Sequence, residues 1–267
     1  NIFRAVLQKG LKPAFVNAYP KIFFDYVNSG KQRLSATTMT CLMSGVPLYK
    51  AADLWKGRAL SAEIDNSYQS LVLDFTDDFS VEFRAYDDGV AYRFIGRRDS
   101  VAEITESLSY AFAGDYTLWA SPIEGYVSSY EVPYQRTSIS DFGQFEHSYL
   151  PLLAATDSGT KLLITDADIY DYPHMFLEKG RRKHELTASF PPYPLETERV
   201  GDRSSKITRA ARYIAKTNTN RTFPWRLVTV AEEDATLIQT QLVYLLSREG
   251  ETGDAPWIVP GKVAWDW

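Results

Sequence analysis

The stretch Ser80-Val81-Glu82-Phe83-Arg84-Ala85-Tyr86-Asp87-Asp88-Gly89-Val90-Ala91-Tyr92-Arg93-Phe94 decides the fold class. Residues 80–86 alternate polar and apolar, the period of a strand that turns one face to a core. Asp87-Asp88-Gly89 supplies a tight turn, and Val90 to Phe94 resumes strand-forming chemistry. Two such runs around an Asp-Gly step are the strongest short-range hairpin signal a sequence carries. Working outward, Leu71-Val72-Leu73-Asp74-Phe75 reads as the preceding strand, with Asp77-Asp78 as its turn. Phe23, Tyr26 and the turn Asn28-Ser29-Gly30-Lys31 suggest an earlier hairpin. Lys161-Leu162-Leu163-Ile164, after the turn Asp157-Ser158-Gly159, and the run from Phe223 to Val230 read as further strands.

Helix is scarce. The best candidate starts at Glu232-Glu233-Asp234, whose carboxylates suit the positive end of a helix dipole, and runs through Leu237 and Ile238. Residues 241–247 fit a helix or a strand equally, because a short apolar run does not decide between them. Many short strands with frequent turns imply an all-β fold, a β-sandwich or a barrel-like domain with few short helices. The 267 residues fit one such domain or two small ones. Arg181-Arg182-Lys183 and Pro191-Pro192-Tyr193-Pro194 mark exposed loop, and residues 250–262, rich in Gly, Pro and acid, read as an exit segment. The chain is expected to be a fragment, because it stops inside the aromatic run Val263-Ala264-Trp265-Asp266-Trp267.

Composition excludes several classes. Lys plus Arg number 29 against 34 Asp plus Glu, a net charge of −5, which argues against a nucleic-acid footprint. A single cysteine, Cys41, rules out a disulfide framework and a thiolate zinc site; between apolar neighbours it reads as an inert buried thiol. No stretch reaches the roughly 18 apolar residues of a membrane span, so no membrane span is expected. Asn1-Ile2-Phe3-Arg4 has no signal-peptide layout. There is no Gly-x-Ser-x-Gly elbow, no Walker loop and no Gly-x-Gly-x-x-Gly fingerprint. His147, His174 and His184 lack the spacing of metal ligands.

Two acidic and aromatic clusters remain. One is Glu124-Gly125-Tyr126-Val127-Ser128-Ser129-Tyr130-Glu131-Val132-Pro133-Tyr134, preceded by Trp119; the other is Asp166-Ala167-Asp168-Ile169-Tyr170-Asp171-Tyr172-Pro173. Carboxylates accept hydrogen bonds from sugar hydroxyls or ligate calcium, a hard ion that prefers oxygen, and aromatic rings cover the apolar face of a sugar. Acids and tyrosines are equally commonplace in turns that do neither. Asp166-x-Asp168 is spaced like the start of an EF-hand loop, but the Gly and the terminal Glu of such a loop are absent.

Three further passages carry a resemblance. Phe223-Pro224-Trp225-Arg226, Leu242-Val243-Tyr244-Leu245-Leu246, and Trp257-Ile258-Val259-Pro260-Gly261-Lys262-Val263-Ala264-Trp265-Asp266-Trp267 resemble glycoside hydrolase family 97 at the junction between its N-terminal β-domain and its (β/α)₈ barrel. The hairpin Val81 to Phe94 and the segment Asp166 to Met175 are similar to the same family, so that the likeness spans roughly residues 20–267. The resemblance implies that residues 1–250 are a large two-layer antiparallel N-terminal β-sandwich like that of galactose mutarotase. Residues 251–267 would be a linker and the start of a truncated barrel. The whole protein would be a calcium-dependent, exo-acting α-glucosidase or α-galactosidase, exported to the bacterial periplasm or cell surface. Its substrate would be an α-linked oligosaccharide. This domain would pack on its own C-terminal catalytic barrel and shape the pocket. No catalytic residue falls within this chain; the carboxylates are expected beyond Trp267, and the fragment alone is expected to be inactive.

In the family one calcium ligand comes from an N-terminal-domain glutamate, and Tyr130-Glu131-Val132-Pro133-Tyr134 resembles the segment that carries it. Glu131 is therefore the expected metal ligand, with Glu124 as its rival. The alternative is a stand-alone carbohydrate-binding module with no catalysis. A third reading, aldose epimerisation, would need a histidine and a carboxylate at one anomeric centre, and the histidine spacing gives no sign of it.

Overall fold

The computed structural model describes residues 39–50 and 63–248, apart from 77 and 203. The suggested hairpin at residues 23–31 and the exit segment beyond residue 250 lie outside them, as does Asp77 of the expected turn. The expected central hairpin is present: β3 (Phe79–Tyr86) and β4 (Gly89–Gly96) pair antiparallel with Tyr86 opposite Gly89. A Cβ at Gly89 would lie 2.7 Å from the Val228 carbonyl oxygen, so the neighbouring strand can approach only a glycine. Outward from the hairpin, β2 (Glu63–Phe75) pairs with β3 and β1 (Met39–Lys50) with β2, and Cys41 sits in β1 as expected.

On the other side β4 pairs with β16 (Trp225–Ala231), and β16 with β10 (Lys161–Ala167). The sheet continues through β9 (His147–Ala155), β11 (Phe176–Lys179), β12 (Glu185–Ser189) and β6 (Ser109–Ala111). β7 (Thr117–Ile123) lies along the other edge of β9 and carries β8 (Gln135–Ser138). Two small pairs complete the strands: β5 (Val101–Ile104) with β15 (Ala215–Asn218), and β13 (Pro194–Val200) with β14 (Ser204–Ala210). The expected helix is α1 (Asp234–Gln239), and the undecided stretch is a second helix, α2 (Leu242–Leu246).

The twelve-stranded sheet closes over on itself. One buried cluster joins Leu71, Phe83 and Tyr92 from β2–β4 to Leu118, Leu152, Leu162, Leu177 and Leu186 from the far half, so the two halves form the two layers of a sandwich. A second cluster on the opposite face unites Tyr86, Trp225 and Leu227 with Leu242, Leu245 and Leu246 of α2. The helix thus covers a sheet face, which explains the apolar run that periodicity could not resolve. Strand β16 is buried on both faces for most of its length, as a strand between two layers must be.

Trp225 is fully buried, with the guanidinium groups of Arg84 and Arg93 4.6 and 4.3 Å from its ring. Both arginines are held by Glu82, at 2.8 Å each. The indole therefore fills a core position while two cations lie over it. Truncation by Trp225→Ala is expected to cost about 3–5 kcal/mol, read as a lowered denaturant midpoint with unchanged slope. An unchanged midpoint would show that the second cluster contributes nothing to stability.

Candidate functional site

The registers place a set of strand ends on one rim. Ile123 pairs with His147, Leu177 with Ser148, Phe176 with Ser189, and Ala167 with Trp225, so β7, β9, β10, β11, β12 and β16 all present an end there. Both acidic and aromatic clusters of the sequence leave from this rim, but they do different things.

The loop 124–134 follows β7 and is pinned by tyrosines. The Tyr126 ring stacks on His147, centroids 4.5 Å apart, and its hydroxyl is 2.5 Å from Ser189 Oγ. Tyr130 has φ +57°, a left-handed conformation uncommon for a bulky residue. It is held there from three sides. Its amide donates to Ser128 Oγ at 3.1 Å, its hydroxyl donates to the Tyr126 carbonyl at 2.6 Å, and its ring meets Tyr149 edge-on. The Tyr149 hydroxyl lies 2.8 Å from the Tyr130 carbonyl and 3.0 Å from the Val132 carbonyl, donating between them. Tyr134 donates to the Pro151 carbonyl at 3.1 Å.

Glu131 stands between these two fastened carbonyls. It is exposed and makes no hydrogen bond or ion pair among the described residues. A strained, tightly fixed backbone that ends in an uncommitted carboxylate is the pattern of a presenting loop. Glu124 is exposed as well, but the tyrosine contacts do not bracket it. Val127, Tyr130 and Tyr134 add exposed apolar surface around the crest.

The second cluster is turned inward. Arg226 donates to Glu106 through Nε and Nη2 at 2.8 and 2.7 Å, and reaches Asp166 at 3.3 Å. All three side chains are buried, at 2 %, 7 % and 4 % exposure. Asp166 also accepts the Met175 amide at 3.1 Å, and Tyr172 donates to Glu106 at 3.1 Å. Burial opposes the charge on Arg226, but Glu106 and Asp166 outweigh it and raise its pKa; burial and the Glu106 charge together raise that of Tyr172. His174 Nδ1 is 3.6 Å from Asp166, which raises the histidine pKa although the ring is largely exposed. Asp168, at φ +57°, takes three donors from Arg248: its amide at 3.1 Å, Nε at 2.9 Å and Nη2 at 3.0 Å. Burial works against the Asp168 carboxylate, yet these hydrogen bonds and the Arg248 charge hold its pKa below the usual range.

These acids are spent on holding the rim together, and no EF-hand-like loop forms. Histidines and carboxylates do meet. His174 faces Asp166, and His147 Nε2 is 3.2 Å from Glu146. Glu106 and Tyr149 escaped the sequence reading because neither sits in a motif. Their partners are 120 residues away for Glu106 and up to 19 for Tyr149. Among the described residues no three His, Cys, Asp or Glu side chains are arranged to hold a metal ion. A cation at Glu131 would therefore take most of its ligands from elsewhere.

The family profile described as Glycosyl-hydrolase 97 N-terminal matches residues 49–248. The chain belongs to this family. It is 34 % identical over 219 residues to the retaining alpha-galactosidase of Bacteroides thetaiotaomicron, a match covering 78 % of this chain and 33 % of that protein. A probable retaining alpha-galactosidase of Streptomyces bingchenggensis is 23 % identical over 198 residues, covering 71 % of this chain and 26 % of the relative. The chain thus spans about a third or less of the curated relatives it matches. The fold is shared with a glycoside hydrolase family 97 enzyme from Pseudoalteromonas sp. strain K8, solved in complex with acarbose. That structure has a TM-score of 0.65 and 19 % identity, over 86 % of this chain and 32 % of that one.

Two outcomes follow from the inward acids. Arg226→Ala leaves the buried carboxylates of Glu106 and Asp166 without the guanidinium that neutralises them. It is expected to destabilise the domain by about 3–5 kcal/mol, a fall in melting temperature of roughly 10 °C or more; a fall under about 2 °C would contradict the pairing. Asp168→Asn is expected to cost stability at neutral pH. Because the folded-state pKa of Asp168 is depressed, that contribution is present above its unfolded pKa and is lost as pH falls through the folded value. Unfolding curves of the two proteins should therefore converge in acid, and a constant gap would show that the charge is not responsible.

Proposed function

We propose that this chain is the N-terminal β-sandwich domain of an exo-acting α-glycosidase, an α-galactosidase or α-glucosidase, whose catalytic barrel lies outside it. The relative at 34 % identity carries the reading, since the match covers 78 % of this chain yet only 33 % of that protein. In that arrangement the sandwich binds to the barrel, shapes one wall of the substrate pocket and contributes Glu131 to a calcium ion shared with the barrel. Export to the periplasm or cell surface belongs to the same reading. Among the described residues no helix is long and apolar enough to cross a membrane.

Glu131 fits the metal role by its chemistry. It is a hard oxygen donor, exposed and uncommitted, on a loop whose backbone is fixed on both sides by Tyr149. Calcium takes six to eight oxygen ligands, so one carboxylate from this domain is a share of a site and not a whole one. When bound, the ion would supply positive charge beside the sugar. Tyr130 and Tyr149 would hold the Glu131 backbone in place for it, and exposed Val127 and Tyr134 would pack beside it and exclude water.

The full-length protein tests this. Its intact mass should be well above that of 267 residues, and it should hydrolyse an α-galactoside or α-glucoside in a calcium-dependent way. Glu131→Gln should weaken calcium binding by about tenfold or more in a calorimetric titration and lower turnover with it, while Glu124→Gln leaves both unchanged. Unaltered calcium affinity in Glu131→Gln would remove the residue from the site. A full-length product of this size that binds sugars without cleaving them would favour a stand-alone module.

A further inference from the structure

The pair β5–β15 is a two-stranded sheet of its own, and a ribbon of that kind is marginal unless something supports it. The support comes from the end of the central hairpin. The Phe223 amide donates to the Phe94 carbonyl at 2.9 Å, and the Gly96 amide to the Arg221 carbonyl at 2.8 Å. The Thr219 amide donates to the Ser100 carbonyl at 2.8 Å, and the Arg97 amide to the Asp78 carbonyl at 2.9 Å. A Cβ at Gly96 would run into the Thr219 carbonyl oxygen, so this approach needs a glycine. Main-chain bonds therefore hold β5 and residues 219–223 against the ends of β3 and β4.

Between these segments lies a cavity of about 470 Å³, the size of a small-ligand site. Two aromatic pairs belong to its lining. The Phe79 and Phe94 rings are 6.3 Å apart, and Tyr172 meets Phe223 edge-on at 5.6 Å. All four residues are half-buried, so the chain covers their rings only in part. Tyr172 is fixed in turn, because its hydroxyl donates to Glu106 and Arg226 holds that carboxylate. The walls are thus set by the same bonds that set the sheet, and the cavity is formed in advance of any ligand.

Polar groups border the same space. Asp78, Arg98, Glu103 and Thr105 line it and are exposed. Arg98 and Asp78 form a 3.4 Å ion pair with both side chains more than half exposed. The side chains of Glu103 and Thr105 make no hydrogen bond or ion pair among the described residues; Glu103 lies across the ladder from Lys216. Glu106 also lines the cavity, but its charge is committed to Arg226.

These groups select a ligand class. The rings alone would take any apolar molecule. Two uncommitted or exposed carboxylates against one guanidinium oppose an anion, and the guanidinium opposes a cation. What suits the whole lining is a neutral molecule with a C–H face for an aromatic ring and a rim of hydroxyls that both donate and accept. A pyranose has that form.

We infer that this cavity binds a pyranose, its C–H face against the aromatic lining and its hydroxyls on Glu103 and Thr105. The site lies at the end of β4, four strands along the sheet from β7, which the Glu131 loop follows. Binding here needs neither a metal ion nor Glu131.

Fluorine NMR of the full-length protein labelled with 4-fluorophenylalanine tests it, each resonance being assigned by a Phe→Leu replacement. The probes are D-galactose and D-glucose, which a glycosidase cannot cleave. With at least one of them the Phe79, Phe94 and Phe223 resonances should move along one saturable curve, while that of fully buried Phe142 stays still. Glu103→Ala with Thr105→Val, both at exposed positions, should raise the dissociation constant about fivefold or more. Chelation of calcium and Glu131→Gln should leave it unchanged. No saturable shift from either sugar overturns the proposal, as does an unaltered constant in the double variant. Shifts lost on chelation would assign the sugar to the metal site instead, and shifts driven only by indole or choline would assign the cavity to another ligand class; both overturn it. Sugar shifts in a protein without glycosidase activity would defeat the functional reading alone, and activity without the shifts would defeat the cavity alone.

Discussion

The inward half of the rim depends on one buried cation. Arg226 lies at the start of β16, almost wholly removed from water, where an isolated charge would be prohibitively costly. It is tolerable only because Glu106 grips it bidentately and Asp166 completes the ring of acceptors. Those partners come from the segment entering β6, from β10 and, through the Met175 amide on Asp166, from the segment entering β11. Satisfying one guanidinium therefore fixes where three separate chain segments meet, and the loops that rise beside them inherit that position. The neighbouring residue does the complementary work on the opposite face. Trp225 fills the second core under α2, between two arginines that Glu82 holds in place.

With the rim fixed, its two acidic clusters can have opposite roles. The carboxylates of residues 166–168 face inward and are consumed by arginines, so they contribute rigidity and no free ligand capacity. Glu131 faces outward on a loop whose carbonyls are both tied to Tyr149, so its position is defined although its carboxylate is unused. That contrast separates a structural acid from a candidate ligand more sharply than composition could. A lone, well-positioned carboxylate at an exposed crest could serve a cation only as one share of a larger set of ligands. The relatives, about three or more times as long as the matched region, are consistent with that geometry.

Much of this was open to a reader of the sequence, for local reasons. Strand alternation and the Asp-Gly turn are short-range signals, and the hairpin of β3 and β4 formed where they placed it. The helix at α1 followed from its acidic start. The apolar run of α2 stayed undecided because its environment, a sheet face from residues more than a hundred positions earlier, is not a local property. Of the ribbon at residues 194–210 only the proline-rich entry, Pro191 to Pro194, is marked, as exposed loop, because the charged strands that follow carry no apolar alternation.

The sequence by itself determined the all-β class, the main strand positions and the acidic and aromatic segments worth inspecting, because alternation, turn chemistry and residue type act over a few positions. Only the tertiary structure decided which acids are spent and which are free. The pairing of Glu106 with Arg226 spans 120 residues, and that of Asp168 with Arg248 spans 80. A carboxylate looks the same in sequence whether it is neutralised in a core or presented at a rim. The difference lies in desolvation and in the partners brought to it, and both exist only once the sheet has closed.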